Sequence, residues 1–169
     1  CAASAINLEL GDDAIHGRFA SELDAMERGG SVRIQGWLLS TSTVVNGTTL
    51  EHRILRAVRK GVDVRILWGP WSEAYNPRTL AQVTILKVAC YAYTGSACVV
   101  RPAFVTQTDS FPIKLLHQKT ASFSQRGCMA SSGDLNSAGF INAAIWMSDG
   151  SVCRWLTCTL SPATAARAI

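Results

Sequence analysis

Two apolar segments separated by an amphipathic helix place the strongest constraint on the fold. Residues 31–40, "SVRIQGWLLS", alternate as a strand does, and residues 62–69, "VDVRILWG", are rich in β-branched side chains. Between them, Leu50 to Lys60 carries an apolar stripe at helical spacing and is followed by a glycine. This strand–helix–strand order predicts parallel neighbouring strands joined by a right-handed crossover, and therefore an α/β domain.

Other elements can be placed around this unit. Acidic residues at 12 and 13 predict a side-chain-capped helix that runs to about Arg28. Asn76-Pro77 favours a short third helix through about Leu86. Further strands are expected near 97–101, 114–123, 127–131, 141–147 and 152–159. We expect one domain over 1–169, with its core at about 12–160 and a tail at 161–169.

Composition supports a folded chain and says little about its partner. The 169 residues are 48% hydrophobic and only 17% charged, which argues against disorder. The net charge of +4 suits a polyanionic partner such as nucleic acid or an acidic lipid surface, but many proteins without such a partner share it. Charge is therefore a weak indicator of function.

The six cysteines lack the paired spacing of a zinc site. Cys90 and Cys98 flank a loop that a disulfide would close, and Cys153 and Cys158 would either pair across a bend or remain buried thiols. The chain opens at Cys1 rather than Met, which suggests a removed leader or a cloning boundary. With an even cysteine count, this favours a secreted or periplasmic protein, with Cys1 as a possible lipid-anchor site.

The most unusual stretch is "LLHQKTASFSQRGCMASSGDLNSAGF", residues 115–140. His117 and Lys119 stand two positions apart, so on a strand they share a face. A cluster of Ser, Gly, Asp and Asn follows about a dozen residues later. Taken alone, this pattern also fits a hydrogen-bonded core histidine and an exposed lysine.

Three motifs in order resemble the phospholipase D superfamily. "HQK" followed by "SSGDLNSAGF" resembles its active-site motif, "LEHRILRAVRKGVDVRILWG" resembles its helix-to-strand signature, and "GGSVRIQGWLLST" resembles the preceding core strand. The resemblance implies a mixed, mostly parallel β-sheet flanked by helices on both faces. It also implies a phosphodiesterase that needs no cofactor and no metal.

The resemblance assigns roles to individual residues. His117 matches the nucleophile that forms a phosphohistidine, and Lys119 matches the lysine that neutralises the phosphoryl oxygens. Ser132 matches the phosphate-binding serine. Asp134 takes the place of the usual asparagine, and Asn136 is the alternative for that function.

The mechanism needs a second histidine to protonate the leaving group. In the superfamily it comes from a second copy of the motif, and this chain has one; neither His16 nor His52 has a matching lysine. The resemblance therefore implies a homodimer in which two copies of His117 meet across a twofold axis, as in the small nuclease branch. The alternative is that the chain is half of a longer two-motif protein.

Two departures from the pattern keep other functions open. Ser124 stands where an aspartate is expected, and Asn142 is followed by Ala143, Ala144 and Ile145 without the glutamate that orients the histidine. We expect a nuclease acting on nucleic acid. The alternatives are a phospholipase or phosphatidyltransferase that meets membrane lipid, or a catalytically impaired nucleic-acid-binding protein.

Two further groups of residues have competing interpretations. Trp68 and Trp71 follow a strand of the parallel unit, so they form either a substrate-contacting rim or a loop-packing pair. Asp12 and Asp13 suit the positive end of a helix dipole better than a metal site with His16.

Overall fold

The computed structural model describes residues 5–36, 42–68, 81, 84–88, 91–92, 98–102, 119–133, 142–148 and 153. Within these ranges the chain forms two longer helices, α1 (Asp12–Asp24) and α2 (Leu50–Arg59). The strands are β1 (Ile6–Leu10), β2 (Ser31–Gly36), β3 (Val44–Val45), β4 (Thr48–Thr49), β5 (Asp63–Trp68), β6 (Cys98–Pro102), β7 (Thr120–Phe123), β8 (Gly127–Ser131) and β9 (Ala143–Met147).

Seven of these strands form one mixed sheet in the order β1-β9-β8-β7-β2-β5-β6. The predicted unit is confirmed: β2 and β5 pair in parallel, with α2 between them in the chain, and β5 pairs in parallel with β6. The α/β class and the mixed sheet are thus as expected.

Parallel pairing is less extensive than expected among the described strands. The pairs β2–β7, β7–β8, β8–β9 and β9–β1 are all antiparallel. The turn between β7 and β8 is only residues 124–126, and so short a connection permits antiparallel neighbours alone. The expectation of helices on the second face of the sheet, and the expected start of the third helix, concern residues outside the described ranges; residues 84–88 are helical.

Helix α1 covers one face of the sheet at β7 and β9. The ring of Phe19 meets that of Phe123 edge-on with centroids 5.6 Å apart, and Phe123 in turn lies 5.6 Å from Trp146. All three side chains are buried. Helix α2 contributes residues such as Ile54 to the same hydrophobic core. Both helices therefore pack on this face of the sheet.

Helix α2 is also tied to α1 by charged side chains. Arg53 and Arg56 both pair with the Asp24 carboxylate, and Lys60 Nζ donates to the Asp24 carbonyl oxygen at 2.8 Å. Arg53 is buried, and Arg53 Nη2 also donates to the Val45 carbonyl at 2.7 Å. These cations therefore hold α2 against α1.

Local details differ from the sequence-based predictions. Gly11 is the N-cap of α1, with no side-chain cap bond from either aspartate, and the helix ends at Asp24 rather than Arg28. A positive φ at Asn46 and at Gly47 makes the tight turn of the β3–β4 hairpin, and no hairpin was predicted there. The edge strand β1 was not predicted.

The structure pairs Cys153 with Cys128 in a disulfide, so the alternative of a Cys153–Cys158 pair is wrong. The two cysteines come together because Cys128 lies opposite Met147 on the β8–β9 ladder, and the chain returns over that position after β9. The proposed Cys90–Cys98 pair lies outside the described side chains. No helix in the described ranges is long and apolar enough to cross a membrane.

Candidate active site

Lys119 belongs to a row of residues that crosses the sheet on the face covered by α1. The amide of Ser131 donates to the Lys119 carbonyl at 2.9 Å, Ser131 lies opposite Ala144, and Ala144 lies opposite Glu9. Directly opposed residues on a ladder share a face. We call Lys119, Ser131, Ala144 and Glu9 the Lys119 row.

This row lies at the edge of the sheet where the parallel strands end. The β2–β7 register pairs Gln35 with Thr120, so its continuation sets Gly36 beside Lys119, and Gly36 pairs with Trp68 on β5. The carboxyl ends of parallel strands are the common place for ligand sites in open α/β sheets. The Lys119 side chain is buried, at 8% exposure, and it has an interaction partner.

A tight turn, Ser131–Gly133, follows β8 next to the row. Gly133 N donates to Ser131 Oγ at 3.1 Å, and Ser132 N donates to the Ala143 carbonyl at 2.9 Å. The Ser132 hydroxyl oxygen accepts from Ala143 N at 3.0 Å, which fixes its position at the start of β9. Ser132 itself is exposed, so its hydroxyl group is held in place and open to solvent.

Asn142 connects this turn to α1. Asn142 Nδ2 donates to Asp12 Oδ1 at 2.6 Å, and Ser132 Oγ donates to Asn142 Oδ1 over a longer 3.4 Å. The main chains are joined as well, since Gly11 N donates to the Asn142 carbonyl at 2.8 Å. The N-terminus of α1 is therefore part of the wall of the candidate site.

The two departures noted in the sequence have structural outcomes. Ser124 makes the contacts that hold the start of β2: its hydroxyl accepts from Ser31 N at 2.8 Å, and its amide donates to the Ser31 carbonyl at 2.9 Å. Ala144, where the resemblance expects a glutamate, is buried at 1% exposure and brings no carboxylate. Two carboxylate residues lie near this position among the described residues: Asp12 accepts from Asn142, and Glu9 lies opposite Ala144 on the β1–β9 ladder.

Several predicted site residues lie outside the described part of the chain. His117, Asp134, Asn136 and Trp71 are among them, and Trp68 is described only as the last backbone position of β5. Lys119 and Ser132 are described, and the structure brings them to the same edge of the sheet through the Ser131–Lys119 hydrogen bond.

The other two histidines occupy different environments. His16 is buried on α1, and its Nε2 has no hydrogen-bond partner among the residues that the structure describes, whereas His52 is exposed on the first turn of α2. Within the described ranges, no group of three or more His, Cys, Asp or Glu side chains could hold a metal ion. Asp12 and Asp13 are thus not joined with His16 in a metal site there.

A buried carboxylate, that of Glu22, lies further along α1, towards the C-terminal end of the helix. It accepts a hydrogen bond from Arg126 Nε at 2.8 Å and forms an ion pair with Arg18, whose Nε lies 2.8 Å from Glu22 Oε1. The Arg18 guanidinium also lies 4.9 Å from the centre of the Trp146 ring. The hydrogen bond to Glu22, and then its negative charge, raise the pKa of Arg126 above its already high ordinary value. This cluster stabilises the α1–sheet packing and is separate from the Lys119 row.

Sequence reasoning missed the role of Asp12 and its contact with Asn142. The two residues are 130 positions apart, and no local periodicity links them. The available signal was weak: an aspartate pair at a helix start, of which a single member, Asp12, turns out to be partly buried.

Comparison with solved structures identifies the fold. The chain is similar to NucT from Helicobacter pylori, with a TM-score of 0.71 at 11% identity over 92% of each chain. It is similar to Nuc from Salmonella typhimurium, a phospholipase D family member, with a TM-score of 0.66 at 12% identity over 91% and 90% of the two chains. It also matches 35% of a phosphatidylserine synthase from Haemophilus influenzae, using 92% of this chain, with a TM-score of 0.68 at 12% identity.

Neither a protein-family model nor a curated protein matches the chain. The structural likeness nevertheless confirms the expected fold: the chain has a phospholipase D-like fold.

Proposed function

We propose that this protein is a phosphodiesterase that acts through a phosphohistidine at His117 and cleaves nucleic acid. The observation that carries the proposal is the Lys119 row. A buried lysine lies beside a turn with a fixed, exposed serine hydroxyl, at the sheet edge where the parallel strands end. The fold shared with a phospholipase D family member supports the same chemistry.

The proposed reaction has two steps. A nitrogen of His117 attacks the phosphorus, the bond from phosphorus to the leaving oxygen breaks, and a second histidine protonates that oxygen. A water molecule then attacks the phosphohistidine, gives its proton to the same second histidine, and releases the phosphate monoester. Lys119 neutralises the phosphoryl oxygens in both transition states. Ser132 binds the same group, and the further donor is either Asn136 or a protonated Asp134, since an ionised carboxylate would repel the phosphate.

We further propose that the active form is a homodimer. The mechanism requires two histidines with equivalent roles, and the chain carries a single His-x-Lys motif. A twofold axis would bring His117 of each copy to one phosphorus atom. Specific activity should then fall on dilution below the dissociation constant of the dimer, and it should be independent of concentration if one chain suffices.

Two smaller proposals complete this function. Trp68 and Trp71 form a rim that stacks on nucleotide bases, since aromatic stacking holds single strands without regard to sequence. The Cys128–Cys153 disulfide supports an oxidising compartment, so we propose a secreted or periplasmic location.

The test is a substrate panel with matched variants. Single-stranded DNA, a generic phosphodiester and phosphatidylcholine vesicles are incubated with the wild-type protein, with His117→Ala and with His52→Ala, each with and without EDTA. We expect the wild-type protein and the control His52→Ala to hydrolyse DNA both with and without EDTA. His117→Ala should show no turnover. Absence of turnover on all substrates by a folded wild-type protein would refute the proposal.

Two alternatives each rest on a specific observation. The likeness of fold to a phosphatidylserine synthase favours phosphatidyl transfer, which the vesicle arm of the panel would reveal. The alanine at 144 favours a nucleic-acid-binding protein with an impaired site. In that case, DNA binding would persist in His117→Ala, and the wild-type protein would show no turnover.

A further inference from the structure

The contact between Asp12 and Asn142 joins the start of α1 to the residue that precedes β9. Asn142 Nδ2 donates to Asp12 Oδ1 over 2.6 Å, a short distance for an amide donor. Since the amide nitrogen of Asn142 faces the carboxylate, the amide oxygen must face the opposite way, toward Ser132. Asp12 thus determines which end of the Asn142 side chain the Ser131–Gly133 turn meets.

The fit between this amide and the turn leaves no spare room. A Cβ atom added to Gly133 would overlap the Asn142 amide group. The turn is also held from its other side, because Gly133 N donates to Ser131 Oγ and Ser131 N donates to the Lys119 carbonyl. A movement of Asn142 would therefore move the turn relative to the strand that carries Lys119.

The two hydrogen bonds of the Ser132 hydroxyl differ in strength. Its oxygen accepts from Ala143 N at 3.0 Å, an ordinary distance, while its hydrogen is shared with Asn142 Oδ1 over 3.4 Å, which is long for an O–H donor. The oxygen is thus fixed, and the hydrogen can leave a weak acceptor for a stronger one. An anionic phosphate oxygen is such an acceptor.

The helix dipole alone does not account for Asp12. Asp13, its exposed neighbour in the same turn, supplies the same favourable charge at no cost in burial. Asp12 Oδ2 instead is fully buried with no hydrogen-bond partner among the described residues. Burial of an unpaired carboxylate oxygen lowers stability, and costs of this kind are concentrated at functional sites.

We propose that Asp12 is a positioning residue of the site. Acting through Asn142, it holds the Ser132 hydroxyl ready to donate to a phosphate oxygen beside Lys119. We call these three residues the Asp12–Asn142–Ser132 network. The inference rests on the proposed function for its substrate, while the geometry that carries it is independent of His117.

The test exchanges the two functional groups. Asn142→Asp opposes two carboxylates, which must share a proton to remain in contact, so its kcat/KM for a phosphodiester should fall about tenfold or more at pH 8. This loss should diminish as the pH is lowered. The double variant Asp12→Asn with Asn142→Asp restores one donor and one acceptor with their positions reversed. It should recover to within about threefold of wild type at pH 8.

Two further variants separate positioning from helix stability. Asp12→Asn alone keeps an acceptor oxygen and should lose less than Asn142→Asp. Asp13→Asn, the matched control, removes the same dipole charge without touching Asn142 and should leave kcat/KM unchanged. Either of two results with folded variants would overturn the inference. In the first, the double variant recovers no kcat/KM; in the second, Asp13→Asn loses as much kcat/KM as Asn142→Asp.

Titration with inorganic phosphate distinguishes failure of the network from failure of the proposed reaction. If the wild-type protein hydrolyses no diester, the proposed reaction fails on that result alone. The network is still supported if phosphate affinity drops in Asn142→Asp and returns in the double variant. Equal phosphate affinity in all variants, or no phosphate binding by the wild-type protein, overturns it.

Discussion

The amide of Ser131 donates a 2.9 Å hydrogen bond to the carbonyl oxygen of Lys119, which fixes the turn after β8 beside the strand that carries the lysine. The bond extends the β7–β8 ladder by one residue beyond Thr120. Because the ladder is continuous with β9 and β2, the position of Lys119 is set by the packed sheet rather than by a loop. Rigid elements of this kind hold functional groups accurately.

Removing the Lys119 charge should affect activity far more than stability. Lys119→Met keeps most of the buried stem and deletes the ammonium group, so we expect kcat to fall by about a hundredfold or more with a small change in Tm. Lys87→Met on the exposed helical segment is the control and should retain full activity. A kcat for Lys119→Met within twofold of wild type would exclude a role for the charge in the transition state.

Glycine substitutions should have opposite effects at two positions. Gly133→Ala forces a methyl group into the Asn142 amide and should lower the free energy of unfolding by about 1–3 kcal/mol, with loss of activity. Gly17→Ala, within α1, meets open space and should raise it by about 0.5–1 kcal/mol. Urea unfolding of both variants measures the difference. A neutral Gly133→Ala would show that the turn can move away from Asn142.

The Glu22 carboxylate should be a stabilising group without influence on catalysis. Glu22→Gln weakens the contacts to Arg18 and Arg126, and we expect a loss of about 1–2 kcal/mol after allowing for the exposure of Arg126. Because the pKa of Arg126 is raised in the folded state, its contribution to stability is fully present below its unfolded-state pKa. That contribution is lost only as the pH rises through the higher folded-state pKa. The stability difference should therefore be equal at pH 7 and pH 9. Glu27→Gln, which removes only a weaker attraction between an exposed carboxylate and Arg126, should lower stability much less.

The Cys128–Cys153 disulfide should contribute measurably to stability. Its cysteines are 25 positions apart in the sequence, and for a loop of that length chain-entropy arguments give about 3.5 kcal/mol. Urea unfolding with and without a reductant tests this value, and Cys128→Ser with Cys153→Ser should match the reduced protein. Alkylation of either thiol in the unreduced, denatured protein would contradict the pairing.

The elements that were predicted well are those with a strong local pattern. Helix α2 was expected at Leu50 to Lys60 and is found at Leu50–Arg59, and β2 and β5 match because alternation and β-branching are local properties of the chain. The edge strand β1 was missed. Its apolar residues Ile6 and Leu8 are exposed, so the usual relation between alternation and burial does not apply to it.

The site was predictable only where the motif is contiguous. Lys119 and Ser132 follow from the resemblance, and the structure places both at the same edge of the sheet. The contact of Asp12 with Asn142, and the pairing of Cys128 with Cys153, depend on the order and register of strands distant in sequence. Such relationships leave no periodic trace in a single sequence.

The proposed phosphohistidine mechanism is tested most directly by looking for a covalent phosphoryl group on His117. A phosphodiester substrate is mixed with the protein, and the reaction is stopped with alkali during turnover. The mass of the peptide that contains His117 is then measured by mass spectrometry. A phosphoryl adduct on His117 should form and decay with turnover, and it should be absent from His117→Ala. Substrate consumption at full rate by His117→Ala, or an adduct on a different residue, would contradict the mechanism.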